Sequence, residues 1–258
     1  MSEVTRYEPG VPCWVDAQST DLPASVEFYQ ALFGWDAEDQ GEDAGHYTMF
    51  TKGGLEVAAI FPLMAEGMQP LWTTYLATDD VEETAGKVQE AGGVVFRDPI
   101  DIFDSGRMAI VADPTGTVFG VWEAKAHIGA RRVNEPGAIA WNELNVRDID
   151  AALEFYRSVF GIAVHELDVE TPQGPVRYRE LQVNGRTVAG ATQMTDDWPE
   201  GIPSHWSVCF AVEDADAAAA ETEEMGGMVH VPPTDIPPGR YSVLTDPVGA
   251  AFSIITLS

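Results

Sequence analysis

Apolar and polar side chains alternate from Pro12 to Gln18 with the two-residue period of a strand that buries one face. After Asp21 the period changes. Leu22, Val26, Tyr29 and Phe33 recur at helical spacing, and Gly34 is the residue type that most often ends a helix. Short strands are predicted near 46–51 and 55–62, then a fourth over Leu71–Thr78. Asp80, with Glu83 three residues on, has the pattern of a capping box, which predicts a second helix reaching Ala91 and stopped by Gly92 and Gly93. Three more strands fit between Val94 and Glu123. The last two are joined through Asp113-Pro114-Thr115-Gly116, whose composition is explained by a tight turn.

This succession occurs twice. FYQALFGW at Phe28–Trp35 returns as FYRSVFGI at Phe155–Ile162, Trp14 as Trp141, Asp21 as Asp148, Gly92-Gly93 as Gly226-Gly227, and Asp113-Pro114 as Asp246-Pro247. The spacing drifts only across turn-rich stretches such as TPQGP and TDDWPEGIP. Two homologous halves are therefore expected, residues 1–125 and 135–258, joined by a linker at 126–134. Each half reads as strand, helix, strands, and the same again.

The charge narrows the partners. Fourteen Lys and Arg stand against 42 Asp and Glu in 258 residues, a formal net charge of −28. Such a surface repels phosphate backbones and anionic lipid, so neither nucleic acid nor membrane is an expected partner. A small-molecule ligand is. No stretch has the length and apolarity of a membrane span, and the first residues lack the basic-then-apolar order of a secretory signal, which points to a cytoplasmic protein. Cys13 and Cys209 lie in strand-like stretches without a CxxC partner and read as buried free thiols. GxSxG, GxxxxGK and strand-following GxGxxG motifs are absent, so nucleophile and nucleotide chemistry are not indicated.

CWVDAQSTDLPASVEFYQALFGW and GRMAIVADPTGTVFGVW, with their counterparts WNELNVRDIDAALEFYRSVFGI and GRYSVLTDPVGAAFSII, resemble the vicinal-oxygen-chelate superfamily of glyoxalases, bleomycin-resistance proteins and extradiol dioxygenases, in its actinobacterial tandem form. The resemblance covers nearly the whole chain. It implies an α+β fold of two tandem domains, each a pair of βαβββ modules whose sheet curls into a cup with helices outside. It leaves open a monomer with paired domains or a homodimer.

Alternation then selects the residues facing each cup. With Cys13, Val15 and Ala17 under a helix, Trp14, Asp16 and Gln18 turn inward, as do Trp141, Glu143 and Asn145 in the second half. Leu71, Thr73 and Tyr75, and their relatives His205, Ser207 and Cys209, face the cups from a later strand. Gly120 and Trp122, and Ser253 and Ile255, do so from the last strands. Tyr47 and Tyr178 fall where a cup rim would be.

The places where metal-using relatives carry His and Glu correspond here to Trp14, Ala59, Thr73 and Gly120, and to Trp141, Gly190, Ser207 and Ser253. None supplies imidazole or carboxylate. Glu143 and His205 sit one pleat away, but two ligands are too few for zinc or non-haem iron, so neither metal nor other cofactor is expected. His46, His127, His165 and His230 read as surface residues, and Arg107 and Arg240 as partners of nearby carboxylates. What remains is a pair of acidic, aromatic cups. The leading expectation is a metal-independent binding protein for a small planar organic molecule, held by Trp14, Gln18, Thr73, Tyr75, Trp122, Trp141, Asn145, His205 and Ser207. The alternatives are an enzyme of secondary metabolism, a lyase, isomerase or oxygenase component, with Asp16 or Glu143 as base, and a scaffold whose cups are packed shut and which serves protein association.

Overall fold

In the computed structural model, which describes residues 3–65, 67–171 and 174–258, each half builds its own eight-stranded sheet. The first module contains β1 (Pro12–Ser19), α1 (Leu22–Phe33), β2 (Asp36–Asp39), β3 (Thr48–Lys52) and β4 (Leu55–Pro62). The second contains β5 (Trp72–Thr78), α2 (Val81–Glu90), β6 (Val94–Ile102), β7 (Gly106–Ala112) and β8 (Val118–Ala124). The C-terminal half repeats this as β9 (Ile139–Val146), α3 (Ile149–Phe160), β10 (Ala163–Thr171), β11 (Gly174–Val183) and β12 (Arg186–Gln193). Its second module is β13 (His205–Ala211), α4 (Ala215–Glu224), β14 (Met228–Ile236), β15 (Gly239–Thr245) and β16 (Ala251–Leu257). The strand orders are the same, β2-β3-β4-β1-β5-β8-β7-β6 and β10-β11-β12-β9-β13-β16-β15-β14. In each sheet the two modules meet at one antiparallel seam, β1 with β5 and β9 with β13.

The helices begin where the acidic caps stand. Asp21 accepts the amide of Ala24, Asp148 that of Ala151 and Asp80 that of Glu83, and the left-handed Gly34 and Gly161 close α1 and α3. The alternation left β2 unmarked, although the βαβββ module implied by the resemblance includes it. Its sequence, DAED, has no apolar alternation, because an edge strand exposed to water needs none.

The first helix of each half does not serve its own sheet alone. Phe28 and Phe33 of α1 pack on Phe252 and Phe210 of the C-terminal sheet, while Phe155 and Tyr156 of α3 pack on Phe119 of the N-terminal sheet. Both helices are thus sandwiched between the two sheets, outside the cup of their own sheet as expected, and the two hydrophobic cores each draw on both halves. The Asp-Pro turns contribute to this junction. Asp246 accepts turn amides from Val248 and Ala250 on Oδ1 and the Tyr29 hydroxyl at 3.1 Å on Oδ2, and Trp72 Nε1 donates to that hydroxyl at 3.0 Å. Trp206 donates in the same way to Tyr156, which stands beside Asp113. The turn composition hid a buried carboxylate that ties one half to the other.

Tyr29→Phe removes a donor to Asp246 and the acceptor of a buried indole N–H. We expect a stability loss of roughly 1–3 kcal/mol in urea unfolding, with both halves destabilised together because the core is shared. Two separate transitions, with only one moved, would show that the halves are not coupled through this contact.

The linker is docked along its length. Ala130 donates its amide to the Cys13 carbonyl and Arg131 to that of Glu56, Val4 donates back to Arg131, and Ala130 is fully buried. Cys13 and Cys209 are free and buried, as their apolar surroundings predicted. No helix among the described residues is long and apolar enough to cross a membrane.

Candidate functional site

The N-terminal cup is built on the β1–β5 seam. Trp14 stands opposite Tyr75 and Asp16 opposite Thr73, and Tyr75 lies beside Gly120 on β8. Asp16 Oδ2 accepts the hydroxyls of Tyr75 at 2.9 Å and Tyr47 at 3.2 Å, and the Tyr47 oxygen accepts Trp14 Nε1 at 2.9 Å. Tyr47, expected at a rim, therefore closes a relay from indole to carboxylate. Gly120 is required here, since a Cβ on it would fall 2.0 Å from the Tyr75 ring. Burial with little compensating charge pushes the Asp16 carboxyl up to about 7, against the pull of its two tyrosine donors.

This cup is shut. Trp14, Asp16, Gln18, Thr73, Tyr75 and Trp122 are all buried. The linker closes the end from which β8 leaves: the His127 ring lies edge-on to Trp14 at 4.5 Å and 5.7 Å from Trp122, and Trp122 Nε1 donates to the His127 carbonyl at 2.9 Å. His127 is thus an internal plug and not the surface residue that its place in a linker suggested. Burial holds its imidazole below the usual range, and so neutral near pH 7.

The C-terminal cup has the same frame with smaller side chains. Trp141 faces Cys209 where Trp14 faces Tyr75, Glu143 faces Ser207 and Gly190, and Asn145 faces His205 and Thr192. Ile255 stands at the place of Trp122 and Ser253 at that of Gly120. Glu143 Oε2 accepts Trp141 Nε1 at 3.0 Å and the Tyr178 hydroxyl at 2.7 Å, and Oε1 accepts the Thr192 hydroxyl at 2.6 Å. Burial raises the Glu143 carboxyl above its usual value, opposed first by Thr192, then by Tyr178 and Trp141. Asn145 donates to the Ser207 hydroxyl at 3.1 Å, and Tyr241 pairs with Ser253 at 2.7 Å. Trp141, Glu143, Tyr178, Thr192, Ser207, His205 and Tyr241 all retain contact with solvent.

The mouth loop of this cup is held by one side chain. Arg147, just after β9, donates to the carbonyls of Thr195, Pro199 and Ile202, and Trp198 of that loop lies 6.2 Å from the His205 ring. His205 Nδ1 is engaged by the Pro203 carbonyl at 2.8 Å. The two matched arginines lie elsewhere, Arg107 on Glu82 of α2 and Arg240 on Asp216 of α4, so neither offers its charge to a cup. Thr192 and Tyr241 were missed in the sequence. Alternation on β12 and β15 would have found them, for Thr192 pairs with Asn145 and Tyr241 with Ile255.

Gly190 makes the C-terminal network possible: a Cβ there would lie 1.8 Å from the Tyr178 oxygen and 2.1 Å from Glu143 Oε2. Gly190→Ala is expected to break the Tyr178–Glu143 bond and lower stability by roughly 1–3 kcal/mol, read by thermal melting. Gly185→Ala, which meets no neighbouring atom, controls for the loss of glycine itself, although its left-handed backbone carries a cost of its own.

A metal ion does not fit either donor set. Asp16 Oδ2 and both oxygens of Glu143 are taken up by hydroxyl and indole donors, which leaves Asp16 Oδ1 as the one open carboxylate oxygen of these two residues, too few for a metal shell. Among the described residues no three His, Cys, Asp or Glu side chains come together in a way that would hold a metal.

The family model of the glyoxalase/bleomycin resistance protein/dioxygenase superfamily matches residues 14–121 and 138–254. CFP32 of Mycobacterium tuberculosis, which bears the name of a glyoxylase, is 44% identical over 99% of this chain and 98% of its own length. DnrV of Streptomyces peucetius, named as an anthracycline biosynthesis protein, is 37% identical over 98% and 96%. Among solved structures, the Mn(II)-bound glyoxalase from Novosphingobium aromaticivorans superposes with a TM-score of 0.66 at 19% identity, over 96% of this chain and 82% of that one. The 2,3-dioxygenase LapB from Pseudomonas sp. KL28 superposes with a TM-score of 0.67 at 14% identity, over 97% and 93%. With a family model that spans both halves and relatives alike over nearly their whole length, the chain belongs to the glyoxalase/bleomycin resistance protein/dioxygenase superfamily, as a tandem of two such domains.

Proposed function

We propose that this protein binds a small, flat organic molecule in its C-terminal cup, without a metal ion, and that the N-terminal cup is closed to such a molecule by its own side chains. The observation that carries the reading is the inequality of two otherwise matched cups. Tyr75 and Trp122, which fill the first, are replaced by Cys209 and Ile255 in the second, and the Trp141 indole there keeps contact with solvent. Stacking on that indole supplies apolar contact, and the Tyr178, Asn145 and Ser207 polar groups supply orientation. The name of DnrV, tied to anthracycline biosynthesis, agrees with a planar polycyclic ligand. Titration of the intact chain with a panel of hydroxylated polycyclic aromatics, including an anthracycline, tests this by quenching of tryptophan fluorescence. Saturable quenching by at least one member is expected. None by any member would refute it.

A second reading, catalysis, is favoured by one observation. Glu143 is a carboxylate with a raised pKa in hydrogen-bond contact with a phenol, the arrangement of a general base beside a proton donor. In this reading Glu143 takes a proton from a ligand seated on Trp141 while Tyr178 donates to the oxygen that gains charge. Conversion of a bound panel member, abolished in Glu143→Gln with binding retained, would decide for it.

A further inference from the structure

Two hydroxyl donors on the wall of the N-terminal cup converge on one carboxylate oxygen, and an indole donates to one of them. Trp14 points to Tyr47, and Tyr47 and Tyr75 both point to Asp16 Oδ2. The other carboxylate oxygen, Asp16 Oδ1, is buried without a hydrogen-bond partner among the described residues, and so is Gln18 Oε1. Both residues are more than nine-tenths buried, at 3% and 8% exposure. They occupy successive inward positions of β1, so the two side chains leave the same face of the strand with their Cα atoms roughly 7 Å apart. Thr73, opposite Asp16, makes no side-chain hydrogen bond to the described residues either. Trp14, Tyr47 and Tyr75, the aromatic side chains of the Asp16 hydrogen-bond network, carry π-electrons that favour positive charge.

We propose that the N-terminal cup holds a small N–H-donating cation, an ammonium or primary alkylammonium group, between Asp16 Oδ1 and Gln18 Oε1, at a site separate from the cup assigned above. Water satisfies the geometry of two acceptors but adds no charge to set against the carboxylate. An ammonium group does both. Sodium or potassium lacks the directed N–H bonds and finds too few oxygens here for its shell. The net charge of −28 raises the local concentration of any cation.

The test uses the full-length chain labelled at the aspartate carboxyl carbon. The Asp16 signal, assigned by its absence in Asp16→Asn, is titrated with pH in methylammonium chloride, and in tetramethylammonium chloride and potassium chloride at the same ionic strength. The methylammonium ion is expected to shift the Asp16 midpoint down by at least one pH unit, a tenfold change in ionisation, with no such shift in the other two salts. Gln18→Leu, which keeps the carboxylate, is expected to weaken the methylammonium effect at least tenfold in concentration. Equal midpoints in all three salts would mean that only water fills the place. The same shift with potassium would mean a non-specific cation effect, and an undiminished shift in Gln18→Leu would remove Gln18 from the site. Each of these overturns the proposal. Repeating the titration in Trp141→Ala keeps it independent of the C-terminal cup.

Discussion

Trp141→Ala is expected to weaken binding of the best polycyclic ligand by about one to two orders of magnitude, while the corresponding Trp14→Ala leaves affinity nearly unchanged and lowers stability instead. The two indoles occupy matched places, yet their surroundings set opposite roles. The Trp14 indole is enclosed by His127, Tyr47 and Tyr75, so its removal opens a cavity in a packed cup, which costs about 3–5 kcal/mol. The Trp141 indole faces Cys209 and retains contact with solvent, so burying about 100 Å² of its face under a ligand contributes roughly 2–3 kcal/mol at about 25 cal/mol/Å². Every 1.4 kcal/mol is about tenfold in affinity. Fluorescence titration and thermal melts of both variants read the two effects separately. A large melting loss in Trp141→Ala with no change in affinity would show that this indole is also packing material.

The second large effect lies in the dependence of stability on pH. Asp16 titrates near 7 in the folded chain against 3.8 for the free carboxyl, because burial disfavours its charged form. Between these values the folded state holds a proton that the unfolded state has released. Stability from this group is therefore fully present below about pH 4 and is lost as pH rises toward 7, by about 1.4 kcal/mol per unit and about 4 kcal/mol in all. Asp16→Asn cannot titrate. Relative to the parent, it is expected to gain that amount between pH 4 and pH 7.5 in urea unfolding followed over pH. The difference between the two curves isolates Asp16 from the other carboxylates, Asp246 and Glu143 among them, whose raised pKa values act in the same direction. A difference that stays constant across this range would mean that Asp16 is ionised in the folded protein.

The strands, the capped helices and the twofold repeat were legible because each leaves a local mark, a period of two, a period of 3.6 or an Asp before an apolar run. The direction of the inward residues was legible for the same reason. What alternation does not carry is where another segment of chain passes. His127 read as exposed because the linker around it is polar, and only its path back to the Cys13 carbonyl explains why it lies against Trp14. Asp113 and Asp246 were absorbed by the turn pattern, which is satisfied whether or not a tyrosine of the other half stands nearby. The inequality of the cups was present in the pairs Tyr75 with Cys209 and Trp122 with Ile255. Its meaning depends on the sum of side-chain volumes across four strands, which no one strand shows.

The most direct test of the account is native mass spectrometry of the freshly purified chain, alone and with the panel member that quenches best. One added ligand mass per chain is expected, retained in Trp14→Phe and lost or sharply reduced in Trp141→Ala, with no mass for zinc, iron, nickel or manganese. Two ligands per chain, retention in Trp141→Ala with loss in Trp14→Phe, or one bound transition metal surviving dialysis would contradict it.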